Sequence, residues 1–155
     1  ASLQRVIRTP GTPVLNEMLQ LLELRALLEE NAAALAAVRA TEADLTEAQA
    51  SLDKMRKGKE SEAVYAADLQ FHIAIARASG NRFFEVVLEP LTEVFLKQIY
   101  LSGKVDVGVE QHSEILSAIE QHDPVAARQA VRRLLNITQR DVKKALAHEA
   151  GRLAT

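Results

Sequence analysis

The chain has 155 residues, 48% hydrophobic and 26% charged, a size and balance that suit one folded domain with its own core and exclude a disordered tail. A formal net charge of −2 and a pI of about 6.1 provide no electrostatic footprint for nucleic acid, and the absence of cysteine excludes disulfides and thiolate metal sites. No apolar run approaches the ~20 residues of a membrane span and no signal-peptide pattern is present, so a cytoplasmic location is the expectation.

The opening segment ASLQRVIRTPGTP carries Pro10, Gly11 and Pro13, which disfavour regular structure, and residues 1–14 read as a linker. With a first residue other than methionine, the chain is expected to be a piece of a longer protein. A first helix is predicted over Val14 to Arg39, rich in Leu, Ala and Glu. Thr41, with Asp44 three positions on, resembles an N-cap with a first-turn carboxylate and starts a second helix that Gly58 ends. A third runs from about Glu60 to Ser79, with Gly80 as its stop and Asn81 as the cap of the next. The fourth, RFFEVVLEPLTEVFLKQIYL, contains Pro90, which removes one backbone donor and is expected to bend it. A loose segment flanked by Gly103 and Gly108 precedes a fifth helix over Val109 to Gln121. Asp123 as cap and Pro124 at the first helical position open a sixth that extends to about His148. No strand is expected. The fold class is all-α, an antiparallel bundle of six to seven helices with the domain spanning residues 15–150. The alanine-rich stretch 32–40 reads as a closely packed helix face.

Residues three and four apart share a helix face, so the apolar stripes report which polar groups point inward. In the third helix the stripe runs Val64, Asp68, Phe71, His72, Ile75. In the fifth it runs Val109, His112, Leu116, Ile119, and in the sixth Ala127, Val131, Leu134, Thr138, Val142, Ala145. In the first it runs Leu15, Leu19, Leu22, Arg25, Ala26, Glu29, Ala33. Several ionisable groups thus face the core, where an unpaired charge costs several kcal/mol, and they require mutual partners, a metal or a ligand. An aspartate and a histidine at i and i+4 present an oxygen and a nitrogen that one divalent cation can bridge. The same pair also satisfies itself as a core histidine bonded to a carboxylate, and spacing alone leaves both readings open.

The segments LLELRALLEENAAALAA, ADLQFHIAIARASGN, VLEPL and EQHSEILSAIEQHDPVAARQAVRRLL, in this order and spacing, resemble the effector-binding domain of the FadR-like branch of GntR-type bacterial transcription regulators. The resemblance covers about Leu15 to Asn136. It implies a helical bundle that senses a small metabolite, dimerises, and follows an N-terminal winged helix-turn-helix domain that binds operator DNA; that domain is absent from this chain. It also implies one metal of Zn or Ni type, held by an aspartate and three histidines, at which a carboxylate effector binds. The matching positions are Asp68, His72 and His112, the last opening an H-x-x-I-x-x-A-I pattern. The third histidine's position holds Leu134, which cannot ligate. Thr138 is a poor ligand, and His148 lies about 21 Å further along the helix. A water or an effector carboxylate completes a three-ligand site; alternatively the chain belongs to a metal-free branch.

Arg25 matches a pocket-facing arginine and is the candidate anchor for an organic acid through two parallel hydrogen bonds; its competing role is an ion pair with Glu29 at i+4. Asn81 is a candidate ligand-binding residue as well as a cap. His122 reads as a solvated helix-end residue, and the basic residues of the last helix (Arg128, Arg132, Arg133, Arg140, Lys143, Lys144) as a solvated surface. Apolar residues beyond one stripe in the fourth helix, Phe84, Val87, Phe95 and Ile99, are candidates for a dimer contact. Two other classes of function compete: a ligand-free dimerisation module, and a metal-dependent hydrolase, for which no H-E-x-x-H or E-x-x-H motif supplies a base.

Overall fold

The computed structural model describes residues 14–58, 61–101 and 108–153. Residues 1–13 of the expected linker 1–14, and Gly103, together with the side chains of Leu15, Ile99, Ala145 and His148, lie outside the described residues. Six helices and no strand are found among the described residues: α1 (Val14–Arg39), α2 (Glu42–Lys57), α3 (Ser61–Ala78), α4 (Arg82–Leu101), α5 (Val109–Glu120) and α6 (Pro124–Leu153). None of them is long and apolar enough to cross a membrane.

Local chemistry sets the ends of these helices. The Thr41 hydroxyl accepts from the Asp44 amide while the Asp44 carboxylate accepts from the Thr41 amide, closing a reciprocal cap at the start of α2. At α6, Asp123 Oδ1 accepts the amides of Val125 and Ala126 at 3.0 and 2.9 Å, and Pro124 fills the first position, where no amide is needed. Asn81 Oδ1 accepts the Phe83 amide at 3.1 Å and caps α4. The α5–α6 turn places His122 at φ 55, with amide bonds from Asp123 to the Ala118 carbonyl and from His122 to the Ile119 carbonyl. His122 is exposed as expected, and its ring also bonds the Ala37 carbonyl at 3.1 Å, which ties this turn to α1.

α1 is the hub, packing against α3, α4, α5 and α6, while α2 leans on α3 and α5. Ala32, Ala33, Ala36 and Ala37 are fully buried, and their small side chains let neighbouring helices approach α1 closely. Phe71, Leu52, Ile115, Leu116, Ile119 and Val131 fill the space between the helices. α4 continues as one helix past Pro90, which is exposed. The missing donor would have met the carbonyl of Val86, itself at an exposed position that solvent can reach. Phe95 departs from its expected place in a dimer contact: it is buried in this chain's own core beneath Arg25, because the inward stripe of α4 runs Leu88, Leu91, Thr92, Phe95.

Candidate functional site

Three helices bring ionisable groups to one interior point. α3 contributes Asp68 and His72, one turn apart on its buried stripe, α5 contributes His112, and α1 contributes Arg25 and Glu29. All five are buried, Arg25 to 1% exposure and His112 to 2%. His72 Nε2 and His112 Nε2 each lie 3.2 Å from Asp68 Oδ1, and they lie 3.3 Å from each other. The other nitrogen of each ring is held as well. His72 Nδ1 is 2.8 Å from Glu29 Oε2, and His112 Nδ1 is 2.8 Å from the Gly108 carbonyl. Arg25 Nε donates to Glu29 Oε1 at 2.6 Å, and its guanidinium sits 4.6 Å from the centre of the Phe95 ring. The Phe71 ring meets both imidazoles edge-on, with its centroid 4.9 Å from that of His112 and 6.0 Å from that of His72.

The electrostatics follow from this packing. Burial alone would raise the Asp68 carboxyl, but hydrogen bonds from His112 and His72 hold it well below the usual carboxylate range. Burial likewise opposes ionisation of Glu29, and the charges of Arg25 and His72 overcome it, bringing its pKa to about 2. For His72, burial pushes down while the Glu29 charge and the bonds to Asp68 and Glu29 push up, and the result is about 9.

The structure brings Asp68, His72, His112 and Arg25 together. Of the two roles weighed for Arg25, the ion pair with Glu29 forms, in the interior and not at the surface. Asn81 stands apart from the cluster, exposed and engaged as the α4 cap. Leu134 is buried, and a Cβ on Gly108 would come within 3.3 Å of its Cδ1, so position 134 borders the turn whose carbonyl holds His112. Thr138 donates its hydroxyl to the Leu134 carbonyl at 2.9 Å. Sequence reasoning missed two members. Glu29 lies on the inward stripe, but its partner across the helix interface is invisible to periodicity. The Gly108 carbonyl is a backbone group, its only signal being a glycine four residues before an inward histidine, here at φ 62.

Beside the cluster is a cavity of about 10 Å³, bordered by Glu29 and His72 and closed by Ala32, Ile75, Ala76 and Leu88; it has room for about one water. A larger surface groove of about 300 Å³ runs between α1 and α6, lined by Leu19, Leu22, Leu135, amide side chains and Glu23, with no cationic residue lining it among the described residues.

Comparison with known proteins places the chain in a family. The chain is 34% identical over 122 residues to the HTH-type transcriptional regulator LutR of Bacillus subtilis, a match covering 72% of this chain and 56% of that protein. It is 32% identical over 129 residues to the Glc operon transcriptional activator of Escherichia coli, covering 72% of this chain and 50% of the relative. The chain thus spans about half the length of these relatives, which are named as transcription regulators and not as enzymes. Among solved structures, a GntR protein of Streptococcus agalactiae superposes with a TM-score of 0.67 at 27% identity, covering 84% of this chain and 62% of that one. A GntR-family regulator of Pseudomonas syringae superposes with a TM-score of 0.78 at 20% identity, covering 91% of this chain and 62% of that one, a likeness of fold. Residues 20–136 match the FCD domain, and the chain belongs to that family.

Proposed function

We propose that this domain senses a small organic acid inside the bundle, at a divalent cation of Zn or Ni type held by Asp68, His72 and His112, and relays occupancy to a DNA-binding domain of a larger regulator. The observation that carries the reading is the triangle of ligand atoms. A tetrahedral ion with bonds of about 2.0–2.1 Å separates its ligands by about 3.3 Å, and the three edges here are 3.2, 3.2 and 3.3 Å. The donor set of two imidazoles and a carboxylate suits such an ion, and with leucine at 134 one coordination position remains for water or effector.

Charge supports an anionic effector. Ligation requires both imidazoles neutral, so Arg25 and a divalent cation set against Glu29 and Asp68 leave one net positive charge in the interior. A bound cation supplies a strong point of attachment for a carboxylate. The groove between α1 and α6 is roomier but offers an acid no cation among the described residues. Volume supports sensing: a cavity that admits about one water takes an organic acid only if neighbouring side chains and helices shift. A close-packed interior converts that shift into discrete helix movement. Arg25 contributes through its charge while its Nε stays on Glu29.

A second observation favours a homodimer as the assembly that carries the signal. α1 and α4 pack against each other and expose Leu24, Leu27, Phe83, Val86 and Val87. A second copy of the domain would cover these residues, and light scattering should read a dimer that Phe83→Glu with Val87→Glu reduces to a monomer.

Calorimetric titration with zinc, then with glycolate, lactate, pyruvate, gluconate and citrate in turn, tests the ligand reading. Saturable binding of at least one acid, lost in Asp68→Ala, is the expected result. A domain that takes up neither zinc nor any acid, and gains no thermal stability from them, would support the ligand-free dimerisation module instead.

A further inference from the structure

We infer that Glu29, clamped by Arg25, is a positioning residue for the cation site: it turns the His72 ring so that Nε2 joins the convergence with Asp68 and His112. The inference rests on reading that cluster as a cation site.

An imidazole carries two nitrogens, and a ring flip exchanges them; a ligand site holds one by giving the other a fixed partner. His72 has that partner in Glu29 Oε2, 2.8 Å from Nδ1. The carboxylate cannot swing away freely, because its second oxygen accepts from Arg25 Nε at 2.6 Å. Arg25 is itself fixed, 1% exposed and seated over Phe95. The support therefore runs from α4 through α1 to α3, each link between side chains that are buried.

His112 is held differently. Its Nδ1 bonds the carbonyl of Gly108, four residues back at the start of its own helix, so its orientation travels with α5. The orientation of His72 depends instead on a side chain from another helix. Glu29 thereby makes cation holding sensitive to how α1 sits against α3, and α1 is the helix that packs against α3, α4, α5 and α6. This gives Arg25 a structural task, the clamping of Glu29, in addition to any attraction it exerts on an acid.

Glu29→Gln tests the inference with little change of shape. Glutamine has one oxygen for two donors, so either Arg25 or His72 must face an amide N–H. Zinc titration of this variant should show affinity reduced about 10–100-fold. Proton–nitrogen spectra of the zinc-loaded wild type should show a protected His72 Nδ1–H, and in the variant that proton should exchange faster, a change that a merely structural role for Glu29 would not produce. Because loss of Glu29 strands a buried guanidinium, Arg25→Met with Glu29→Gln serves as the second variant. It keeps the interior free of an unpaired charge and should fold, with zinc binding still weakened. A folded Glu29→Gln protein with wild-type zinc affinity and an unchanged His72 Nδ1–H would overturn the inference alone. Failure of the wild type to bind zinc would overturn the cation-site reading and this inference with it.

Discussion

Two ion-pair networks in this domain have nearly the same bond lengths and very different surroundings. On the surface, Arg77 reaches Glu47 and Glu85, each at 2.7 Å, from a side chain 44% exposed. In the interior, Arg25 reaches Glu29 at 2.6 Å and Glu29 reaches His72 at 2.8 Å, with every side chain at 7% exposure or less. Length does not distinguish them; access to water does. Water can replace any partner lost by Arg77, whereas a partner lost by Arg25 is replaced by nothing, and the remaining charge is left in a poorly polarisable interior. The buried network is therefore the one that specifies how α1, α3 and α5 meet, and the exposed one is an accessory of the surface.

This contrast predicts a graded series. The largest effect belongs to Arg25→Ala, which takes from buried Glu29 the guanidinium that offsets its charge, leaving it with His72, and opens a hole over Phe95; a loss of about 3–5 kcal/mol in denaturant unfolding is expected, and a loss below 1 would erase the distinction between the networks. Next is pH, in protein stripped of metal. Glu29 sits at about 2 against an ordinary 4.5, so its stabilisation is present above pH 4.5 and is lost as pH falls toward 2. Asp68 shifts in the same direction from 3.8. His72 sits at about 9 against 6.5, so its contribution is complete below pH 6.5 and is lost as pH rises through 9. With Arg25, Glu29, Asp68 and His112 as the groups facing it, His72 should give the metal-free domain a thermal midpoint highest between pH 4.5 and 6.5, and declining toward pH 9. A midpoint that rises over that alkaline range would contradict the assigned pairing.

A smaller effect is expected at Thr92, fully buried on α4 with a hydroxyl that has no hydrogen-bond partner among the described residues. Thr92→Val removes an unsatisfied polar atom at similar volume and should stabilise the domain by about 1 kcal/mol; destabilisation would show that the hydroxyl is used. Smallest of all, Arg77→Ala should cost about 0–1 kcal/mol, and less in high salt.

Much of the fold was legible because helix ends are local chemistry. Thr41 with Asp44 and Asp123 with Pro124 announce their caps within four residues, and the structure uses both as read. The candidate site was half legible. The inward positions of Asp68, His72 and His112 follow from helical periodicity, since each sits on a stripe that the core buries. Periodicity says which way a side chain points and not what it meets across an interface. It could therefore place Glu29 inward and name Arg25 as its neighbour, yet not join Glu29 to His72 from α3. For the same reason Phe95 was offered to a partner chain: the number of apolar residues on α4 exceeds one stripe, and only the packing shows which of them the core takes. Asn81 illustrates the opposite case, where the local reading as a cap is satisfied and the distant reading as a pocket residue finds no contact with the cluster.

The central claim is that Asp68, His72 and His112 form a three-ligand cation site despite leucine at position 134. Metal content of the purified domain by mass spectrometry, on wild type and His72→Ala in parallel after equilibration with zinc and removal of excess, tests it most directly. The account predicts about one zinc per wild-type chain and essentially none in the variant. A wild-type chain that retains no metal, or a variant that retains as much as the wild type, would contradict it.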